Sequence, residues 1–597
     1  MRSSSSFSVL IKRTFLALAA CSLGGIALAQ GELDPRLLSS AQTSNGLSPQ
    51  PAVKLEKSMV RVSAAEPIEL TGRALTIDQV LQVSREDRKV AVSNESWARV
   101  ARSHALLLSY ARLGQPVYGL NRGVGLNKDQ TPFSGDVIAP EVRALSETFN
   151  RNMLLSHTVA YGPLVPADVV RAAMLIRLNT ALFGGTGMQP EVVRQYAEFL
   201  NQGITPVIRG QGSVGAADIT VLPQIALALM GEGEVFYRGQ RMASAEVLRT
   251  AGLGAIKPFA KDSLSMLSAN AYGAALAAVA ASDAQALLNQ ADVVAALSLE
   301  GLDGNVAPFL AVTQAQRPFF GQSAAAHHIV SLLQGSSLWQ RSEQRPLQDP
   351  LSFRSTAQIH GAARDALAAL HAQLVVQINS SDDNPTVALD VRPATNATPQ
   401  ERRYFVTEGA VQGAILPSAS FDPTVWAVSL EGVGIAMSHV AQSSAQRVLR
   451  LGDPAFTRLS RFLSPGGGVL AYTTIQKTVS SLSTEVRALS QPVSSDSLVL
   501  AGNIEDVASN APLAAQRVAQ QIKLVRTLLG IETIHAAQAI DLRLQAEPTR
   551  TLGAGTRAFH KAFRAQVPFL DADRRLGTDI EKADLFLLTQ AQPQTRP

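Results

Sequence analysis

From residue 359 to residue 378, apolar side chains return every three or four positions, with Leu367, Leu370, Leu374 and Ile378 on one face. That spacing predicts an amphipathic helix. Similar patterning gives helices over 167–182 and 190–201, separated by Gly184-Gly185-Thr186-Gly187, and a long helix over 511–545. Nearer the start, Thr76 is placed to cap a helix through Val83. Ser93 is placed to cap a longer one whose stripe is Val100, Leu106, Leu107 and Tyr110. That helix stops at Gly114-Gln115-Pro116. Short strands are expected just before Thr76 and near Val90. Ala-rich runs without strand-like alternation fill much of the remainder and favour helix. The pattern therefore predicts a mainly α chain with a small mixed part at its N-terminal end.

Composition narrows the class. With 46% hydrophobic and 17% charged residues over 597 positions, the chain is apolar for a soluble protein but far from a membrane bundle. A net charge of +5, with no Lys/Arg cluster interleaved with aromatics, argues against nucleic-acid binding. The nine histidines show no HExxH or paired-ligand spacing, so no metal is expected. The single cysteine, Cys21, excludes an internal disulfide.

Cys21 falls in a segment that reads as a secretory signal. Arg2, Lys12 and Arg13 form a basic start, Thr14 to Ile26 is apolar, and Ala27-Leu28-Ala29 offers a cleavage site before Gln30. The run is too short for a confident transmembrane span. Leu18-Ala19-Ala20-Cys21 also resembles a lipobox, which would attach a lipid anchor at Cys21. Either route leads to the periplasm. The expected organisation is a signal over 1–29, a poorly ordered leader over 30–66, an N-terminal part over 67–260, a central helical bundle over 261–545 and a helical tail over 546–597, polar and peripheral beyond Pro568.

Gly212 to Gly233 reads G-S-V-G-A-A-D-I-T-V-L-P-Q-I-A-L-A-L-M-G-E-G. It resembles the signature of the histidine and aromatic amino acid ammonia-lyases. There an Ala-Ser-Gly tripeptide follows G-S-V-G and cyclises with loss of water to an electrophilic methylidene-imidazolone (MIO) ring. Here Ala216 and Ala217 alone separate Gly215 from Asp218, and no serine remains to dehydrate. The resemblance thus implies the family's fold with its prosthetic group absent. Asp218 is read as a helix cap or as a group that orients the site.

Other motifs carry the same resemblance over roughly 68–545. Tyr118-Gly119-Leu120-Asn121-Arg122-Gly123-Val124-Gly125 is similar to the family's Y-G-x-x-T-G-F-G loop, whose tyrosine is the base. A tyrosine with a reference pKa of about 10 needs activating neighbours to serve that role, and Arg122 is a candidate cation. Outside the motif, Tyr118 reads as an ordinary loop aromatic. Ala260 to Ala271 aligns Ser268 with the asparagine that contacts the ring, with Asn270 two residues on. "PLQDPLSFR" keeps Gln348 and Arg354; the resemblance makes Arg354 the carboxylate clamp, with a structural ion pair as the competing role. "QINSSDDNP" reads as turn chemistry. "VTEGAVQG" puts Gln412 where the family has histidine, and Glu505 falls on its pocket glutamate, with a helix-surface carboxylate as the alternative.

The resemblance implies a mainly α, ammonia-lyase-like (fumarase/aspartase-type) bundle and a homotetramer whose sites combine several subunits. It also implies a small-molecule carboxylate substrate. Tyr118 and Glu505 are the expected catalytic residues. Arg354, Gln348, Gln412, Asn121 and Ser268 are expected to bind substrate, around Gly215, Ala216, Ala217 and Asp218. Elimination, isomerisation or cyclisation without an MIO ring is the leading expectation. A conventional ammonia-lyase and a non-catalytic binding protein on the same fold are the alternatives.

Overall fold

The structure is a computed structural model that describes residues 66–408 and 411–591. The signal, Cys21 and the leader up to residue 65 lie outside the described residues. Ile68–Leu70 pairs in parallel with Val90–Val92, as two short β-strands. The helix Ile77–Arg85 between them begins with a full capping box. The Thr76 hydroxyl accepts from Gln79 N at 3.1 Å, and the Gln79 side chain accepts from Thr76 N at 3.0 Å. Ser93 caps the helix Asn94–Arg112 through Ser96 N.

The long helices Ala271–Leu302 and Ala511–Ala546 pack against each other at the centre of the bundle. Thr356–Ile378, Thr424–Leu451 and Ile475–Leu489 flank them. Ala271–Leu302 is alanine-rich and buried nearly all round, the signature of a core helix rather than an amphipathic surface one. Its small residues permit close approach: a Cβ on Gly301 would sit 3.1 Å from Ala536 O in the partner helix. Residues 262–302 are long and apolar enough to cross a membrane, and their most apolar 18-residue window is wholly buried in the protein.

A buried ion pair cross-links three of these helices. Arg447 Nε lies 2.6 Å from Glu532 Oε1, and Ser298 Oγ donates to the same oxygen at 2.6 Å. Contacts continue without a break across residues 260 and 545. The polar, peripheral tail expected beyond Pro568 is corrected here. Leu576–Ala591 packs on Ala511–Ala546; Ala583, Phe586 and Leu587 are buried because they recur at helical spacing among polar residues, and Leu570 is buried just before the helix.

Candidate functional site

Seven stretches distant in sequence converge on a cavity of about 600 Å³, and four of them carry the site residues expected from the sequence or their near neighbours. The first is the tyrosine loop. Val117 and Leu120 are buried and anchor its start. Asn121 holds its shape: Oδ1 accepts from Val117 N at 2.7 Å and Nδ2 donates to Gln115 O at 2.9 Å. The Asn121 amide is therefore spent on the loop rather than free for a ligand. Gly119 has a φ of +72°, and a Cβ there would collide with Leu264 at 2.3 Å. Tyr118 faces the cavity with its Oη accepting from Gly125 N at 2.7 Å.

Burial pushes the Tyr118 phenol above its ordinary pKa; the Gly125 N–H opposes that rise, and the Glu505 carboxylate adds to it. The expected help from Arg122 is corrected. Its Nη1 donates to Asn121 O at 3.0 Å and Thr131 Oγ1 at 2.9 Å, which holds the guanidinium along the loop, and Arg122 does not line the cavity.

The second segment is the Gly215–Asp218 turn, with Ala216 and Ala217 on the cavity wall. Gly215 is required: it has a φ of +83°, and a Cβ would meet Ser509 Oγ at 2.6 Å. Ala217 holds a φ of +58°, uncommon for a residue with a Cβ. The turn is pinned because Asp218 N donates to Ala269 O at 2.8 Å and Ser213 Oγ donates to Asp218 Oδ1 at 2.8 Å. Asp218 Oδ2 accepts from Gly273 N at 2.8 Å. The carboxylate thus caps the Ala271–Leu302 helix, not the short helix Pro223–Leu229 that follows it. Complete burial raises its pKa to about 6. Asn270 approaches the same turn, its Nδ2 3.4 Å from Gly215 O, while its buried Oδ1 has no partner.

Ser268 lines the cavity from the third segment, together with Leu264 and Leu267. Beneath them Lys261 is fully buried, donating to Ser265 Oγ at 2.7 Å and paired with Asp383; Arg177 bonds Asp383 at 2.6 Å and Asp382 at 3.1 Å. Burial lowers the Lys261 pKa against the pull of Asp383. This network fixes the turn from which Asn384 reaches the cavity. Glu505 and Ala501 come from the fourth segment, whose residues 501–503 pack on the tyrosine loop. Glu505 stands in a loop, so the helix-surface alternative does not apply.

Sequence reasoning missed several wall residues. His157, at the end of Pro140–His157, lines the cavity, with its Nδ1 2.8 Å from Met153 O. A ring nitrogen facing a carbonyl carries the proton, so the neutral ring keeps Nε2 as an acceptor. Phe149 and Phe421 add aromatic surface. The Ser156-His157 pair was visible in the sequence, but nothing in its spacing marked it, and Asn384 was read there as turn chemistry alone.

Four expected binding residues do not line this cavity within one chain: Asn121, held within the loop, and three others. Gln348 is exposed, Gln412 Oε1 accepts from Arg392 Nε at 2.9 Å, and Arg354 ends the short helix Leu351–Arg354 with a buried, unpartnered Nε. Among the described residues, no group of three or more His, Cys, Asp or Glu is arranged to hold a metal.

The family model for aromatic amino acid lyases matches residues 75–565. The chain belongs to the aromatic amino acid lyase family. It is 36% identical over 522 residues to a histidine ammonia-lyase of Sorangium cellulosum, covering 86% of this chain and 96% of that one. It is 32% identical over 513 residues to the histidine ammonia-lyase of Caldanaerobacter subterraneus, covering 86% and 94%. Among solved structures, the ergothioneine-degrading enzyme ergothionase of Treponema denticola, in complex with desmethyl-ergothioneine sulfonic acid, superposes with a TM-score of 0.80. That match is 38% identical and covers 88% of this chain and 99% of that one. Histidine ammonia-lyase of Trypanosoma cruzi gives 0.74 at 25% identity, covering 88% and 94%. The mainly α, ammonia-lyase-like fold expected from the sequence is the one observed, and this member of a lyase family is a lyase.

Proposed function

We propose that this lyase works without an MIO ring, eliminating a leaving nitrogen that bears no proton from a carboxylate substrate. The observation that carries the reading is the turn at Gly215–Asp218: two alanines, no hydroxyl to lose, on the wall shared by Tyr118 and Glu505. A base strong enough to take a carbon-bound β proton takes an ammonium proton first, which is why an α-amine needs electrophilic activation. A quaternary ammonium has no such proton and leaves as a neutral tertiary amine. Ergothioneine, on which the Treponema relative acts by its name, is an acid of this kind, an α-trimethylammonium beside a thioimidazole ring.

In this reading Tyr118 takes the β proton, the C–H pair becomes the new double bond, and the C–N pair leaves with trimethylamine. Glu505, Phe149 and Phe421 suit an onium cation, since aromatic faces and a carboxylate attract fixed positive charge. His157 Nε2 accepts a ring N–H, and Ser268 borders the substrate. Arg354 binds the carboxylate of a substrate held by a neighbouring copy in a homotetramer, assisted by Gln348 and Gln412; its unpartnered Nε supports that role. The protein acts in the periplasm after cleavage before Gln30 or lipidation at Cys21.

The test is turnover of ergothioneine, histidine, phenylalanine and tyrosine by the purified protein, reading conjugated acid and released amine. Ergothioneine is expected to yield trimethylamine, and Tyr118→Phe to slow that by about 10²–10⁴-fold. Ammonia from the three amino acids, with ergothioneine inert, would establish the conventional ammonia-lyase reading instead.

A further inference from the structure

The charges around Tyr118 pose a difficulty for a base. Among the described residues, no lysine or arginine lines the cavity; its wall carries one carboxylate, Glu505, and one imidazole, His157. The two cations of the tyrosine loop are engaged elsewhere: Arg122 with Asn121 O and Thr131 Oγ1, Lys128 with Asp129. Behind the alanine turn stands Asp218, held by Ser213 and Gly273 N. Below Ser268, Lys261 and Arg177 are matched by Asp383 and Asp382. Among the described residues of one chain, the group that favours a phenolate is the Gly125 N–H, 2.7 Å from the Tyr118 oxygen; the Arg354 that the reading above brings from a neighbouring copy is matched by the substrate's carboxylate. Burial and Glu505 both hold Tyr118 protonated.

We infer that Tyr118 becomes a base only when the fixed positive charge of the substrate enters the cavity it shares with Glu505, so that substrate binding switches the base on. This rests on the lyase reading above and adds the means by which the base is made. An opposite charge within about 4–6 Å moves an acid's pKa by about 1–3 units toward the charged form, enough to offset the burial that Tyr118 suffers. Phe149 and Phe421 present aromatic faces to that charge without neutralising it.

A primary ammonium in the same place behaves differently. It donates N–H bonds to Glu505, and the phenolate takes its proton before one from carbon. Glu505 is therefore a specificity-determining residue, selecting nitrogen that cannot lose a proton. The step also resets itself. The phenolate takes the β proton, the C–N bond breaks with its pair on nitrogen, and the cation and the phenolate vanish together. The phenol left beside a neutral amine returns to its high pKa and holds its proton until the next cation binds, when that proton passes to bulk solvent.

The test compares glycine betaine with 3,3-dimethylbutanoate, which has the same shape and carboxylate but carbon in place of the charged nitrogen. Neither has a nitrogen-bearing carbon next to a β proton, so neither reacts. Each is brought to saturation in the whole protein, and the near-ultraviolet phenolate absorbance is titrated against pH with Tyr118→Phe as the blank. Glycine betaine is expected to lower the Tyr118 midpoint by about 1–3 pH units, and 3,3-dimethylbutanoate to leave it or raise it. Glu505→Gln is expected to lower the midpoint of the empty site and to narrow the difference between the two compounds. Equal shifts from both, no shift from either, or failure of glycine betaine to enter the site would overturn the inference. Ergothioneine turnover without the shift would sink this inference alone; the shift without turnover of any quaternary substrate would sink the lyase reading alone.

Discussion

Asp218 commits both of its carboxylate oxygens to other segments, Ser213 on one side and Gly273 on the other. Its pKa, raised from 3.8 to about 6 by burial, makes it a pH-dependent element of stability. The folded state holds the Asp218 proton more tightly than the unfolded chain does. The stabilisation is therefore fully present below about pH 4 and is lost as the pH rises through about 6. Two pKa units correspond to about 3 kcal/mol. Asp218→Asn keeps a neutral acceptor for Gly273 N, so its urea midpoints should be flatter than those of the wild type between pH 4 and pH 7. An unchanged slope would show that Asp218 ionises freely in the folded protein. At this scale Tyr118, Glu505 and the alanine turn were legible because each sits in a linear motif. His157 was not, since its place on the wall depends on where a helix happens to end. Arg122 misled because adjacency along a loop does not make a side chain face its neighbour.

Between elements, packing is set as much by missing side chains as by present ones. The helices Phe320–Leu332 and Thr356–Ile378 cross with Gly321 against Gly361. A Cβ on Gly361 would lie 2.3 Å from Gln322 N, and one on Gly321 would lie 2.3 Å from Gly361 O. Backbone cannot step aside as a side chain can, so Gly361→Ala should destabilise by about 1–3 kcal/mol, read as a lowered denaturation midpoint. No change would mean that the two helices sit further apart than described. The stripe on Thr356–Ile378 was readable in sequence, and Leu367, Leu370, Leu374 and Ile378 are all buried. The central helix Ala271–Leu302 was seen only as an alanine-rich run, because a helix buried on every side has no polar face to give it a period.

For the whole molecule, one chain brings Tyr118 and Glu505 to the cavity but leaves Arg354 elsewhere. The sequence displayed Arg354 in a motif without saying where the folded chain carries it, since a linear string records neither the direction of a side chain nor subunit boundaries. If the active unit is a homotetramer with shared sites, Tyr118→Phe and Arg354→Ala should each lose most of the activity. Mixed oligomers formed by co-expressing the two should regain part of the activity, because some sites then draw an intact Tyr118 and an intact Arg354 from different copies. No recovery in mixed oligomers of confirmed composition would confine the site to one chain.

The most direct measurement is the mass of the peptide spanning residues 213–218, taken from protein that is turning over its substrate. The account predicts the full, unmodified mass, with activity that survives borohydride. Loss of water within that peptide, together with inactivation by borohydride, would contradict it.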